Sequence, residues 1–226
     1  MTTGSTVRLP YQDRRHAGRV LAEALSGYAE RDQVLVLGLP RGGAIVAAEV
    51  ARRLGVPLDV LVVRKLGLPG QEELAMGALA SGGLMVLNRD VADTVSDDAV
   101  LEVASREHRE LERRERAYRS GRAPAEIEGR PTLLVDDGLA TGSSMRAAIA
   151  SARQRGASEV IVAVPVAPPH TVNALRAEAD DVICPATPEL FFGLGQFYVD
   201  FAQASDQDVK AVLESAWDRG EPTQHP

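Results

Sequence analysis

Thr132-Leu-Leu-Val-Asp-Asp-Gly-Leu-Ala-Thr-Gly-Ser-Ser-Met145 is the stretch whose reading decides the fold. Its start is an uninterrupted apolar run, the pattern of a strand covered on both faces, and it delivers two adjacent carboxylates, Asp136 and Asp137, to its carboxyl end. A glycine-bearing hydroxyl loop follows and opens a helix over residues 142–155. At such a helix start the backbone N–H groups of Ala140, Thr141, Gly142, Ser143 and Ser144 converge. The helix dipole adds partial positive charge there, and Thr141, Ser143 and Ser144 supply hydroxyl donors. That combination fits a phosphate monoester. Asp136 and Asp137, which only accept, fit a pair of vicinal hydroxyls or a water-rich Mg²⁺. A ribose 5-phosphate satisfies both demands, and ligands of open parallel sheets sit outside the carboxyl ends of the strands.

Working outward, β-rich runs alternate with helical stretches, the pattern of a mostly parallel sheet flanked by helices in an α/β domain. Asp13 caps a helix predicted to run to Tyr28. Residues 33–39 read as a strand, Pro40-Arg41-Gly42-Gly43 as a tight loop, and residues 44–54 as a helix stopped by Gly55 and Pro57. A second strand, 58–63, ends in Arg64 and Lys65. The Gly/Pro-punctuated segment 66–73 after it reads as a mobile connection able to act as a lid, and 75–80 with 84–87 as a small hairpin. Residues 97–119 form a charged helix with Val100, Ala104, Leu111 and Tyr118 on one stripe and a solvated opposite face. Strands at 159–164 and 181–184 and helices at 168–178 and 206–217 follow. The expected organisation is one domain, 1–226, with the 97–119 helix inserted, a hood at 184–204 and a frayed tail at 219–226.

Composition excludes several functions. The 226 residues are 45% apolar with 25% charged, ample for a core, and no apolar run approaches the ~18 residues of a membrane span. The polar start predicts no secretion signal, so the cytoplasm is the expected location. A net charge of -7 and only nine aromatics argue against nucleic acid as partner. The single cysteine, Cys184, permits neither an internal disulfide nor a thiolate zinc site, and the four histidines lack metal-ligand spacing. Walker, dinucleotide-binding and nucleophile-elbow motifs are absent.

Val135 to Ser144 resembles the signature of the type I phosphoribosyltransferases: a hydrophobic strand, two acidic residues and a Thr-Gly-Ser-Ser phosphate loop. The chain is more closely similar to bacterial phosphoribosyltransferases of unassigned substrate, sharing Asp-Arg-Arg-His-Ala-Gly at Asp13, Gly-Leu-Pro-Arg-Gly-Gly at Gly38 and Tyr-Val-Asp-Phe at Tyr198. The resemblance implies a ribose-contacting pair at Asp136 and Asp137 and a 5-phosphate loop at Ala140 to Ser144. It implies a pyrophosphate site of Arg41, Gly42, Gly43, Arg64 and Lys65, with a non-proline cis peptide before Arg41. The implied reaction is displacement of pyrophosphate from 5-phosphoribosyl 1-pyrophosphate by a nucleobase-like acceptor. Mg²⁺ is held mainly through the substrate, with Asp136 and Asp137 as the protein groups able to join. Asp136, Asp137, Arg41 and Lys65 are then the catalytic set. A homodimer is expected only from the family.

The same resemblance puts base recognition in the hood, where Phe191, Phe192, Phe197 and Tyr198 gather and Asp200 offers a polar contact. Ala140 stands where 6-oxopurine enzymes usually carry an acidic residue, so hypoxanthine and guanine lose support as acceptors. A non-catalytic regulator sensing nucleotides on the same fold is the main rival. Arg41, Lys65 and both aspartates favour the enzyme, because a nucleoside monophosphate sensor needs no pyrophosphate site. A third reading, an interaction protein built around the charged helix, ranks last.

Overall fold

The computed structural model describes residues 7–220. In chain order the elements are α1 (Arg14–Ala24), β1 (Leu35–Gly38), α2 (Gly42–Leu54), β2 (Leu58–Val60), β3 (Val63–Leu68), β4 (Gln71–Ala80), β5 (Leu84–Leu87), α3 (Arg89–Ala92), α4 (Asp97–Arg119), β6 (Pro131–Val135), α5 (Ser143–Gln154), β7 (Glu159–Ala163), α6 (Pro169–Leu175), β8 (Asp181–Ile183) and α7 (Asp206–Gly220). Five parallel strands form the main sheet in the order β2-β1-β6-β7-β8. Their residues are buried on both faces by alternation. Leu35 and Leu37 pack with Met145, Ile149 and Leu175 of α5 and α6 on one side, while Val36 packs with Val50, Leu111 and Leu213 of α2, α4 and α7 on the other. The α/β sheet with helices on both faces is the architecture expected from the sequence.

Asp13 caps α1 as its sequence indicates, Oδ1 accepting from the His16 N–H at 2.7 Å, but the α-helix ends at Ala24 and a 3-10 turn continues from Ser26–Tyr28. The run 58–63 is two elements rather than one. β2 stops at Val60, and Leu61 and Val62 carry the chain out of the parallel sheet. Ser81 secures the departure: its N–H donates to the Val62 carbonyl at 2.8 Å and its Oγ accepts from the Val62 N–H at 2.9 Å. Arg64 and Lys65 therefore lie inside β3, which joins β4 and β5 in a separate antiparallel sheet of order β3-β4-β5. The segment 66–73 is the turn of this sheet, with Gly70 at φ +78 between β3 and β4. Leu66 to Leu68 pair with β4 in the ladder, so the segment read as a mobile connection is the end of a hairpin that turns at Pro69 and Gly70.

The charged helix α4 has the predicted bounds, and its apolar stripe joins the main core. Arg119 at its end is buried against Asp59 of β2. Its Nε donates to Oδ1 at 3.1 Å and Oδ2 at 3.2 Å, and Nη2 donates to the Val60 carbonyl at 2.8 Å. The hood is built from both ends of the chain. Tyr11 donates its N–H to the Phe197 carbonyl and accepts from the Val199 N–H, both at 2.8 Å, and Tyr11, Ala17, Val166, Phe197 and Tyr198 make a third small core. Cys184 is half-buried, its thiol pushed up to about 11 by burial. Of the tail expected to fray, Arg219 and Gly220 close α7. Residues 221–226 and the polar start, 1–6, lie outside the described residues.

Candidate active site

The site forms where β1 and β6 end side by side, with Gly38 in register with Val135. Each strand hands over to a glycine loop and then a helix, so two helix N-termini flank the two carboxylates. The peptide between Pro40 and Arg41 is cis, as the resemblance implies. Gly42 and Gly43 lie directly on the acidic pair. A Cβ on Gly43 would stand 2.7 Å from Asp136 Oδ1 and 2.8 Å from both the Asp136 Cα and the Val135 carbonyl oxygen. These neighbours are mostly backbone and cannot yield. Gly43→Ala is expected to destabilise the fold by ~1–3 kcal/mol through overpacking, read as a lower urea midpoint. An unchanged midpoint would show that the loop has room this geometry denies.

The acidic pair is asymmetric. Asp136 Oδ1 accepts from the Asp137 N–H at 2.8 Å, whereas Asp137 Oδ2 accepts from Arg14 Nε at 2.7 Å. Burial first, and the charge of Asp137 second, push the Asp136 carboxyl well above the usual carboxylate range. The backbone carbonyl of Asp137 accepts a short bond from the Tyr198 hydroxyl, whose own proton is held by burial and by the aspartate beside it. Both carboxylates are therefore fixed by structure around them.

Beyond the pair, Gly142 adopts φ +75 and α5 begins at Ser143. The loop is pinned from behind: Thr171 Oγ1 donates to the Ala140 carbonyl at 2.6 Å, and Arg146 Nη1 to the Thr141 carbonyl at 3.1 Å. Ala140, Thr141, Ser143 and Ser144 are exposed, the Thr141 and Ser143 hydroxyls 3.1 Å apart. Among the described residues, none of the N–H groups from Ala140 to Met145 is bonded to a backbone carbonyl or a side chain. Carbonyls tied back and N–H groups left open is the arrangement that receives an anion.

The structure splits the basic pair of β3. Adjacent strand residues point to opposite faces. Arg64 turns to α4, where Nε and Nη2 donate to Glu107 Oε2 at 3.0 and 2.6 Å. Lys65 lines a cavity of about 260 Å³ with Asn88, Ser143, Ser144 and Arg146, so it and the phosphate loop share one wall. Arg41 stands at the start of α2, where its carbonyl accepts from the Ala44 N–H at 3.2 Å and its side chain makes no capping hydrogen bond, its charge reaching Tyr118. The hood corrects the base-binding expectation. Phe197 and Tyr198 are buried in the hood's own core and do not present a face to a ligand, while Phe191 packs on Phe197 at 5.0 Å and is half-buried. Phe192 is 89% exposed, held out by Gln196, whose Oε1 accepts from its N–H at 3.1 Å. Asp200 is exposed, its Oδ1 accepting from the Ala202 N–H at 3.0 Å.

For Mg²⁺, the described residues hold no group of three or more side chains suited to a metal ion. With Asp137 already bonded to Arg14, the donor set fits a cation carried mostly by ligand oxygens and water, and not a protein cage. Sequence reasoning missed Arg14, Thr171 and the Tyr198 hydroxyl. Arg14 entered the sequence reading as part of the shared Asp-Arg-Arg-His-Ala-Gly motif, with no role of its own. The available signal was a cation in the first turn of a helix, where the dipole disfavours it unless a carboxylate waits there.

No described helix is long and apolar enough to cross a membrane. The profile of the phosphoribosyl transferase domain matches residues 11–202, which takes in α1 and the hood beside the two loops. A Mycobacterium tuberculosis protein provisionally named a phosphoribosyl transferase is 48% identical over 208 residues, 91% of this chain and 47% of that protein. The chain thus spans about half the length of the curated relatives it matches. A uracil phosphoribosyltransferase of Lactobacillus gasseri is 36% identical over 86 residues, 37% of this chain and 41% of that protein. The crystal structure of TT1426 from Thermus thermophilus is 45% identical with a TM-score of 0.81, over 92% of this chain and 99% of the other. With a profile that spans every segment meeting at the acidic pair, this chain belongs to the phosphoribosyl transferase domain family.

Proposed function

We propose that the protein is a cytoplasmic pentosyltransferase that moves the 5-phosphoribosyl group of 5-phosphoribosyl 1-pyrophosphate to a nucleobase-like acceptor, releasing pyrophosphate. The observation that carries this reading is the run of open N–H groups from Ala140 to Met145 one strand-end away from Asp136 and Asp137. A 5-phosphate and a pair of ribose hydroxyls match these two features at once.

In this reading breaking the C1–O bond to pyrophosphate develops positive charge on the sugar ring and negative charge on the leaving group. Catalysis is then positioning and electrostatics. The phosphate loop anchors the sugar by its 5-phosphate, and Asp136 and Asp137 accept from its hydroxyls and favour the cationic ring. Arg41, Lys65 and the N–H groups of Gly42 and Gly43 receive the leaving pyrophosphate, Arg41 being supported by its position at the start of α2 between the cis peptide and the two glycines. Arg64 is the weakest member of that set, because leaving Glu107 would break two charge-assisted bonds. Asp136 and Asp137 are the residues that would stand beside a substrate-held Mg²⁺, and such an ion would supply positive charge to the leaving group. Phe192 and Asp200 are the hood groups left available to an acceptor base.

The test is Mg²⁺-dependent pyrophosphate release across purine, pyrimidine and pyridine bases. Release with one base identifies the acceptor. Absence of release with every base, together with tight binding of a nucleoside monophosphate, would replace this reading with a non-catalytic regulator.

A further inference from the structure

Arg14 opens α1, where the helix N-terminus already carries partial positive charge, so a cation there needs a partner to hold it. It has three. Nε donates to Asp137 Oδ2 at 2.7 Å, Nη1 donates to the Ala202 carbonyl at 2.7 Å, and the guanidinium lies 4.0 Å from the centroid of the Phe201 ring. Phe201 in turn stacks on Tyr198 at 4.8 Å, and the Tyr198 hydroxyl donates to the backbone of Asp137. The side chains of Arg14 and Asp137 are only 11% and 12% exposed. Its neighbour Arg15 is 57% exposed and pairs instead with Glu49, so the motif commits one specific arginine to the acidic pair.

We propose that Arg14 is a positioning residue for Asp137: by taking Oδ2 it turns Oδ1 to the sugar and holds the carboxylate beside its like-charged neighbour Asp136. This rests on the sugar-binding role proposed above for the acidic pair. Two carboxylates on adjacent residues repel, and the one that is free to rotate would turn away. Arg14 removes that freedom. The space around the ion pair enforces the same alignment, since a Cβ on Gly42 would stand 1.9 Å from Asp137 Oδ2 and 2.7 Å from Arg14 Nε. One ion pair therefore sets Asp137 against the pyrophosphate loop on one side and the hood on the other. Such a role reaches catalysis through geometry, because small misplacements of a catalytic group are costly.

The experiment compares wild type, Arg14→Met and Arg14→Lys in pyrophosphate release with the base that supports release in the panel above, in calorimetric affinity for Mg²⁺-phosphoribosyl pyrophosphate, and in thermal melting. Arg14→Met is expected to lower kcat by about 100-fold with the acceptor KM unchanged. Arg14→Lys, which keeps the charge without the fork, is expected to recover part of the loss. In a cycle read by phosphoribosyl pyrophosphate affinity, Arg14→Met added to Asp137→Ala is expected to change binding by less than about twofold, because the carboxylate that Arg14 orients is then gone. Phe201→Leu, which removes the plate under the guanidinium and leaves the ion pair, is expected to show the same pattern, several-fold in kcat. Wild-type kcat in Arg14→Met, or a loss of affinity that adds fully to that of Asp137→Ala, would overturn the proposal while the enzyme reading stands. A wild-type protein that binds no phosphoribosyl pyrophosphate would overturn both.

Discussion

Asp137→Asn is expected to lower the rate of pyrophosphate release by roughly 10²–10³, the usual effect of removing one preorganised electrostatic contact from a reacting centre. The argument is that the substitution changes charge and little else. The Asn side-chain oxygen still accepts from Arg14 Nε, and the backbone carbonyl still accepts from Tyr198. In the proposed reaction, what disappears is the negative charge that would favour the cationic sugar ring. The repulsion that raises the Asp136 carboxyl also falls, so the fold should survive the change. Initial rates under saturating substrate, alongside a melting curve, separate the two effects. A variant that melts normally and turns over like wild type would remove Asp137 from the catalytic set.

The second large effect is on stability and lies away from the site. Asp59→Ala is expected to cost ~3–5 kcal/mol, the penalty for stranding one partner of a buried ion pair. Asp59 accepts from Arg119, from the Val60 N–H at 2.7 Å and from the Ala125 N–H at 2.8 Å, so one carboxylate joins β2, the end of α4 and the segment leading to β6. Both side chains of the pair are 4% exposed. Glu115, 3.4 Å from Arg119, compensates only in part. Against a typical total stability of ~5–15 kcal/mol this is a large fraction, visible in urea unfolding. The discriminating variant is the double replacement Asp59→Leu with Arg119→Met, which should recover most of the loss because no buried charge remains. A cost under about 1 kcal/mol for Asp59→Ala would mean that water reaches Arg119 and that the helix is not anchored there.

The two loops that make the site were legible because their chemistry is local. A strand, two carboxylates and a hydroxyl-rich helix start stand in one stretch of sequence, and the same holds for Leu39 to Gly43 with its helix. The bounds of α4 were legible from a long amphipathic period. What failed were the readings of where the chain leaves one sheet for another and of what its distant ends cover, although the hairpin of 75–80 with 84–87 is present. The continuous apolar run from Leu58 to Val63 carries no mark of the place where it leaves one sheet for another, because both destinations are buried. Arg64 and Lys65 consequently read as a pair, although strand alternation sends one to Glu107 and the other to the phosphate loop. Phe197 and Tyr198 read as open rings because their cover, Tyr11 and Ala17, lies at the other end of the sequence. Arg14 was invisible for the same reason: its partner is more than a hundred positions away.

That separation bears on when the protein becomes competent. Arg14 and Ala202 are 188 positions apart, and the entropy of closing a loop grows with its length, so the hood closes against a larger cost than any neighbouring strand pair. During synthesis the acidic pair and the phosphate loop emerge and can fold before residues 198–202 exist. A nascent chain at that stage lacks the Tyr198 and Ala202 contacts that complete the grip on Asp137 and Arg14. Completion of the site is thereby tied to near-completion of the domain.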